Sequence, residues 1–366
     1  MFFIRFSSGN SNDLLAESQN KLLQDNLSDW ERDIWTFTEA FLNDANNSFS
    51  VFTSGSTGKP KLIKHTRQQL VASALATINF FNLQKGNTAL LAIPAAKIGG
   101  RMMIVRSILA GLDLCCVPLS SKPFNGITIH NQFDFAPLTP MQLLNSLNDA
   151  SAAKKIENIN TILLGGGEVS NVLLQKIQSL SSAVFHSYGM TETASHIAIR
   201  KLNGSNAQNL YHTLEGIDVA TNENNCLVIS APHFSKEPII TNDVVSIHSS
   251  TSFEWLGRID NTINTGGIKI QAEIVEQKLF KHLKYRFFFT AEKDDLLGEK
   301  VVLAIESSPF DEKELNKLKN LLNKHLEKFE RPKKIAFVYK FRETETGKIQ
   351  RKESLLHVSK NIEISS

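Results

Sequence analysis

The densest concentration of phosphate-binding chemistry in this 366-residue chain is Thr53-Ser54-Gly55-Ser56-Thr57-Gly58-Lys59-Pro60-Lys61. It follows the apolar run Phe49 to Phe52, so a strand is expected to open into a loop of hydroxyls and backbone N–H groups. Glycine lets such a backbone approach a ligand closely, and successive N–H groups form a nest for anions. Spacing separates this loop from other phosphate motifs. A Walker loop needs four residues between its first glycine and Gly-Lys-Ser/Thr, whereas Gly55 and Gly58 have two between them and Lys59 precedes proline. The Gly-x-Gly-x-x-Gly pattern of dinucleotide folds does not occur. Pro60 has no N–H for a ladder, so the strand is not expected to resume at once. A phosphate cradle is the reading; for Gly-Ser-Thr-Gly alone, a polar turn that binds nothing is the alternative.

The elements that must position this loop follow from apolar periodicity. Short apolar runs at 49–53, 88–93, 112–118, 132–136, 160–165 and 183–188 alternate with helical stretches at 67–82, 99–110, 139–149 and 169–181. A helix is also expected over Asp29 to Asn43. This alternation predicts an α/β fold with a large N-terminal domain of mostly parallel strands and helices. In such sheets ligands collect beyond the carboxyl ends of strands, so the loops after Phe52, Leu164 and Phe185 are expected to share one crevice. From about Asn209 to Leu256 the runs shorten into a small, more antiparallel β unit. Residues 261–366 read as a separate α+β module, with helices at 273–283 and 311–328 and strands at 285–291, 299–305 and 334–339.

Composition narrows the functional classes. With 42% hydrophobic and 21% charged residues the chain is expected to fold as a globular protein. Its 40 basic and 37 acidic residues balance too closely to argue for nucleic acid or a membrane surface as partner. Cys115, Cys116 and Cys226 leave an odd count and no Cys-x-x-Cys pair, which fits a reducing compartment. The start Met1-Phe2-Phe3-Ile4-Arg5-Phe6 makes a poor signal peptide. Lys97, Arg101, Arg106 and Asp113 interrupt the apolar region Leu90 to Leu119, so no membrane insertion is expected and the cytoplasm is the expected location.

Five stretches, in order, resemble the adenylate-forming family of acyl-CoA synthetases, luciferases and peptide-synthetase adenylation domains. They are Thr53–Lys61; Gly165-Gly166-Gly167-Glu168; His186-Ser187-Tyr188-Gly189-Met190-Thr191-Glu192-Thr193; Thr241-Asn242-Asp243 with Leu256-Gly257-Arg258-Ile259-Asp260; and Thr346-Gly347-Lys348-Ile349-Gln350-Arg351. The resemblance implies that Thr53, Ser54, Gly55, Ser56, Thr57, Gly58 and Lys61 bind ATP phosphates. It lays adenine on Gly165, Gly166 and Gly167, beside Ser187, Tyr188 and Gly189. Thr191 would meet the α-phosphate and Glu192 would hold Mg²⁺, a hard cation satisfied by one carboxylate, phosphate oxygens and water. His186 and His196 are not expected to pair on a metal, since no third ligand stands at suitable spacing.

Asp243 would bind ribose and Arg258 would assist it. Asn242 replaces the family's glycine, a change that a left-handed backbone would tolerate. Asp260 would be the hinge, with a large ATP- and acid-binding domain over 1–257, a hinge over 258–262 and a small mobile domain over 263–366. Lys348 would reach into the nucleotide site, where an ammonium on a flexible stem suits accumulating negative charge. After rotation, Gly266, Gly267 and Lys269 would serve the thioester step with coenzyme A. Family members carry a much longer segment ahead of the phosphate loop than the 52 residues here, which implies a shortened first subdomain.

Within the family, Ile98-Gly99-Gly100 through Arg106 to Gly111, and Ile263 to Lys269, resemble the o-succinylbenzoate-activating branch of menaquinone biosynthesis. Lys97 stands where that branch carries His. The resemblance puts Arg106, Gly99, Gly100 and Lys97 near the acid, with Arg106 facing a second, unreacted carboxylate. Arg101 is another cation on the same helix; Lys97, Arg101 and Arg106 cannot all share one face. Arg106 as a structural ion-pair partner is the alternative. An aryl- or fatty-acyl-CoA ligase and a non-catalytic nucleotide-binding protein are the alternative functions. The partners implied are a small carboxylic acid, ATP and coenzyme A, and a homodimer is compatible with the sequence.

Overall fold

Five of the six apolar runs expected in the parallel sheet are there. In the computed structural model, Asp113–Cys116, Thr88–Leu91, Phe133–Leu138, Ile159–Leu164 and Ala183–Gly189 lie side by side in that spatial order, all parallel. Read in chain order this is 2-1-3-4-5, the arrangement of a doubly wound sheet with its reversal between Thr88–Leu91 and Phe133–Leu138. Leu90, Phe135, Leu164 and Val184 have no exposed surface, as expected where helices cover both faces. Phe2–Arg5 adds an antiparallel edge beside Asp113–Cys116. On the other side, His196–Lys201 and then Tyr211–Thr213 continue the sheet antiparallel. The structure describes residues 1–52, 61–127, 132–343 and 349–364. The chain divides into two units, Met1–Asp218 with Ser230–Pro238, and Val219–Ile229 with Ile239–Ser366.

The sixth run departs from expectation. Among the described residues Ser48–Phe52 pairs only with Leu62–Thr66, in a separate antiparallel hairpin registered Phe49 to His65 and Phe52 to Leu62. Pairing therefore resumes two residues after Pro60, and the loop after Phe52 does not leave the parallel sheet. Phe49 and Val51 point inward while Ser48, Ser50 and Phe52 are exposed, the alternation of a ribbon covered on one face. Two arginines fasten this hairpin. Arg67 spreads its guanidinium over the carbonyls of Phe41, Asn43 and Asn46, which satisfies the open end of the helix Asp29–Leu42. Arg101 donates to the Ala95 carbonyl at 3.1 Å and the Ser50 carbonyl at 2.6 Å, and lies over the Phe37 ring. Arg101 is thus a structural tie within the first unit.

The expected helices occupy Arg67–Phe81, Ile98–Ala110, Pro140–Leu147 and Asn171–Ile177, with Ser11–Leu22 and Ala150–Ile156 in addition. Thr66 caps the first of these, with Gln69 completing a capping box. In the second unit, Ile239–Ser249 and Ser252–Arg258 form a hairpin beside Cys226–Ser230. The terminal module has a second sheet, ordered Ile268–Gln271, Thr262–Thr265, Gly298–Glu306, Lys334–Val338 and Val358–Glu363, with Phe287–Asp294 also paired to Gly298–Glu306. The helices Ala272–Leu279 and Glu312–His325 pack Val275, Leu279, Leu318 and Leu322 into its core with Phe289, Leu303 and Phe337. Leu318 and Leu322, one turn apart, are the buried stripe of an otherwise charged helix. No helix among the described residues is long and apolar enough to cross a membrane.

Candidate active site

Two neighbouring strand ends build the corner where the adenine-binding residues were expected. Gly165, straight after Ile159–Leu164, donates its N–H to the Leu138 carbonyl at 3.1 Å. A Cβ on Gly165 would stand 2.9 Å from the Ser187 hydroxyl oxygen, and Ser187 donates to the Leu164 carbonyl at 2.8 Å. Gly166 has φ +78°, a conformation that favours glycine. The structure therefore brings Gly165, Gly166, Gly167 and Ser187 together. Gly189 is tighter still: its Cβ would meet the His196 Cα at 2.3 Å. Tyr188 is half-buried, with its ring edge-on to Tyr211 at 5.8 Å.

His186, set aside as a metal ligand, turns out to brace this corner. Its Nε2 lies 3.0 Å from the Gly167 carbonyl and its Nδ1 lies 2.7 Å from the Tyr211 hydroxyl. A carbonyl only accepts, so Nε2 carries the proton and Nδ1 accepts from tyrosine. Burial and the nearby Arg200 charge push the His186 pKa from 6.5 down to about 4, against the opposing pull of the Gly167 carbonyl. The ring is neutral at pH 7. Arg200 lies over the Tyr211 face at 4.9 Å.

The Thr191–Thr193 turn follows. Thr193 donates its hydroxyl within the turn, to the Ser195 carbonyl at 2.7 Å, and accepts the Met190 N–H at 3.2 Å. Ala194 then sits at φ +60° with no exposed surface, a conformation that L-residues other than Asn and Asp rarely hold. Thr191 is half-buried and Glu192 exposed. Among the described residues no donor pairs with the Glu192 carboxylate. That open oxygen ligand fits Mg²⁺ delivered with a nucleotide, and among the described residues no group of three acidic, His or Cys side chains would hold an ion by itself.

His65 was not anticipated. It is buried in the strand Leu62–Thr66 and its Nε2 meets the Thr191 carbonyl at 2.7 Å. The hairpin that carries Thr53–Lys61 is thereby fixed to the Thr191–Glu192 turn. Burial lowers the His65 pKa, with the Thr191 carbonyl and the Glu192 charge opposing. Thr53, Ser54, Gly55, Ser56, Thr57 and Gly58 lie outside the described residues; Lys61 is exposed just beyond them.

Arg106 is almost completely buried, at 3% exposure, on the helix Ile98–Ala110. Its Nη2 donates to the Ser195 hydroxyl at 2.7 Å. Ser195 in turn meets His196 Nδ1 at 3.2 Å, His196 Nε2 meets the Thr77 hydroxyl at 3.1 Å, and Thr77 donates to the Ser73 carbonyl at 3.2 Å. No carboxylate among the described residues pairs with Arg106, and its Nε is buried without a partner. The structural ion pair weighed as an alternative is therefore not found among the described residues. Burial drags the guanidinium pKa down to about 9, and burial with the Arg106 charge lowers that of His196 as well. Gly100 is needed for packing, since its Cβ would lie 2.3 Å from the Pro94 carbonyl oxygen; Gly99 is less constrained and Lys97 is exposed.

In the second unit Asp243 and Arg258 are cross-strand partners, with Arg258 Nη1 3.5 Å from Asp243 and Nη2 3.1 Å from Asp260. Burial works against the Arg258 charge, but Asp243 and Asp260 outweigh it and raise its pKa. Trp255 also donates to Asp243, at 3.2 Å. Asn242 is not left-handed as expected: it lies within the strand Ile239–Ser249, extended so that Asp243 can face Arg258. Gly266 and Gly267, at φ +58° and +82°, form the two-residue turn between Thr262–Thr265 and Ile268–Gln271, where paired positive φ values match the strand twist. Lys269 is exposed on the second of these strands. Lys348 lies outside the described residues.

Comparison with known proteins identifies the family. A profile described as AMP-binding enzyme matches residues 10–222. A Mycobacterium tuberculosis protein named probable 2-succinylbenzoate–CoA ligase is 30% identical over 282 residues, covering 70% of this chain and 70% of that protein. A Geobacillus 2-succinylbenzoate–CoA ligase is 25% identical over 317 residues, and this chain spans 64% of its length. Among solved structures, an acyl-CoA synthetase (AMP-forming)/AMP-acid ligase II-like protein from Dyadobacter fermentans matches with TM-score 0.63 and 36% identity, over 92% of this chain and 96% of that one. The Bacillus subtilis o-succinylbenzoate CoA synthetase in complex with its acyl-adenylate intermediate matches in fold, with TM-score 0.70 and 20% identity over 83% of this chain and 68% of that one.

Proposed function

The chain belongs to the AMP-binding enzyme family, and from that premise we propose that it is an AMP-forming acid–CoA ligase whose acid is o-succinylbenzoate. In the first step a carboxylate oxygen attacks the α-phosphorus of ATP, the new O–P bond forming as the bond to pyrophosphate breaks. In the second, the sulfur of coenzyme A attacks the acyl carbon, AMP leaves with its oxygen, and the thiol proton passes to solvent. Glu192 would hold Mg²⁺, which would supply charge neutralisation on the phosphates. Thr191 and the loop Thr53–Lys61 position the nucleotide, and Lys348 adds an ammonium where charge gathers; such steps are served by placement and electrostatics more than by acid–base groups. Asp243 with Arg258 would hold ribose. Asp260 would be the hinge about which residues 263–366 turn, bringing Gly266, Gly267 and Lys269 to the thioester step.

The observation that carries the choice of acid is Arg106. A buried guanidinium whose described polar partner is one serine hydroxyl is costly unless an anion arrives to face it. A dicarboxylic acid brings that anion on the group that does not react; benzoate and fatty acids do not. The test is pyrophosphate release, then thioester formation, with o-succinylbenzoate, benzoate and a fatty acid. Arg106→Met sharpens it. The KM for o-succinylbenzoate should rise by about 30-fold or more, as for a lost charged hydrogen bond of about 2 kcal/mol. Stability should hold or increase, because an isosteric apolar side chain relieves a buried charge. Turnover of benzoate alone by the wild type would refute the assignment of the acid.

A further inference from the structure

Arg351 opens the short helix Arg351–Leu355, just after the chain has closed on itself through the Glu343–Ile349 bridge and the Gln350 N–H bond to the Arg342 carbonyl. Its guanidinium forks onto Glu276, with Nη1 2.8 Å from Oε1 and Nη2 3.1 Å from Oε2, and Nη1 also donates to the Phe289 carbonyl at 2.7 Å. Glu276 Oε1 accepts the Phe289 N–H at 2.7 Å. This branch anchors Arg351 to the core strand Phe287–Asp294.

The second branch runs elsewhere. Arg351 Nη2 also reaches Glu273 Oε1 at 3.2 Å, and that same oxygen accepts from Asn261 Nδ2 at 2.5 Å. Asn261 ends the turn Ile259–Asn261, directly after the Arg258–Asp260 ion pair. The arrangement is costly. Among the described residues Glu273 Oε2 is buried with no partner, and it occupies the place of a side chain at Gly257, where a Cβ would be 2.3 Å away. A buried acceptor without a donor has lost its hydration with nothing in return. Arg351 already has a two-point partner in Glu276, so holding Arg351 does not by itself explain the carboxylate at position 273.

We propose that Glu273 is a positioning residue that couples the Arg258–Asn261 turn, through Arg351, to the end of the segment bearing Lys348. This rests on the ligase reading for its catalytic consequence but not for its structural one. Asn261→Ala cuts only the turn branch and Glu273→Gln weakens both contacts of the shared oxygen, while the fork onto Glu276 remains in each.

Two measurements test it. Each single variant should lower adenylate formation from o-succinylbenzoate about 10-fold more than thioester formation from supplied acyl-adenylate, the scale of a lost positioning contact. The double variant should lose no more than the worse single one, because both act through one oxygen. Equal loss in both half-reactions, tracking the melting temperature, or additive losses would overturn the proposal. Hydrogen exchange needs no substrate: the Gln350 amide should exchange about 10-fold faster in Asn261→Ala, and unchanged exchange would also overturn it. If wild type fails to use o-succinylbenzoate, the assignment of the acid falls while the exchange result still decides the coupling.

Discussion

Around Gly165–Gly167 and Thr191–Thr193, the side chains that fix the loops are neutral. His186, Ser187 and His65 hold backbone carbonyls, and glycines let strand ends come close. Around Arg351 the fixing groups are ions: one guanidinium, two nearly buried carboxylates and an asparagine that shares one of them. The contrast fits what each region is proposed to hold. A corner that is to receive a polyphosphate keeps its donors available if they are not already committed to carboxylates. A region that must hold a segment in one orientation gains from bidentate, charge-assisted bonds, which are strong and directional. The first frame therefore depends on its histidines staying neutral, the second on its groups staying charged.

The largest expected effect lies on the charged side. If Lys348 is the ammonium that the Arg351 segment presents, Lys348→Ala lowers adenylate formation by about 10²-fold or more, the scale of a lost transition-state donor, and spares thioester formation from supplied adenylate. Equal loss in both half-reactions would remove that assignment. Next comes acid. His186 has a folded pKa of about 4 against 6.5 when exposed, so above pH 6.5 both states are neutral and nothing is lost. As pH falls from 6.5 to 4 the unfolded chain takes a proton that the folded corner refuses, and stability drops by up to about 3 kcal/mol. Urea melts at pH 7 and pH 4.5 should register the fall. His186→Gln, which can keep both hydrogen bonds without titrating, should make it shallower. The smallest effect is His65→Phe, which removes one hydrogen bond worth about 1 kcal/mol and should raise the KM for ATP several-fold by loosening the hairpin. An unchanged KM would show that the hairpin is held by Arg67 and Arg101 alone.

The five parallel strands were legible because strands buried on both faces must be written as unbroken apolar runs, and Leu90, Leu164 and Val184 belong to such runs. The hairpin was not. Leu62–Thr66 has two polar residues, Lys64 and Thr66, facing out and a proline just before it, which together read as loop. Motif order located the Gly165 and Thr191 corner, since glycine and hydroxyl spacing is local. The bracing role of its histidines was missed, because their partners include carbonyls: Thr191 lies 126 positions from His65, and a carbonyl has no letter in the sequence. Asn242 was read against a glycine it replaces, although the demand at that position comes from the cross-strand pairing of its neighbour Asp243.

An arginine can give hydrogen but never take it. Ser195, turned toward Arg106, must present a lone pair there and send its own proton on to the ring of His196, which passes the same polarity inward as far as Ser73. The file runs one way only. Ser195 has no hydrogen left for an arriving anion, so an acid that settles here is met by the guanidinium itself or is turned away.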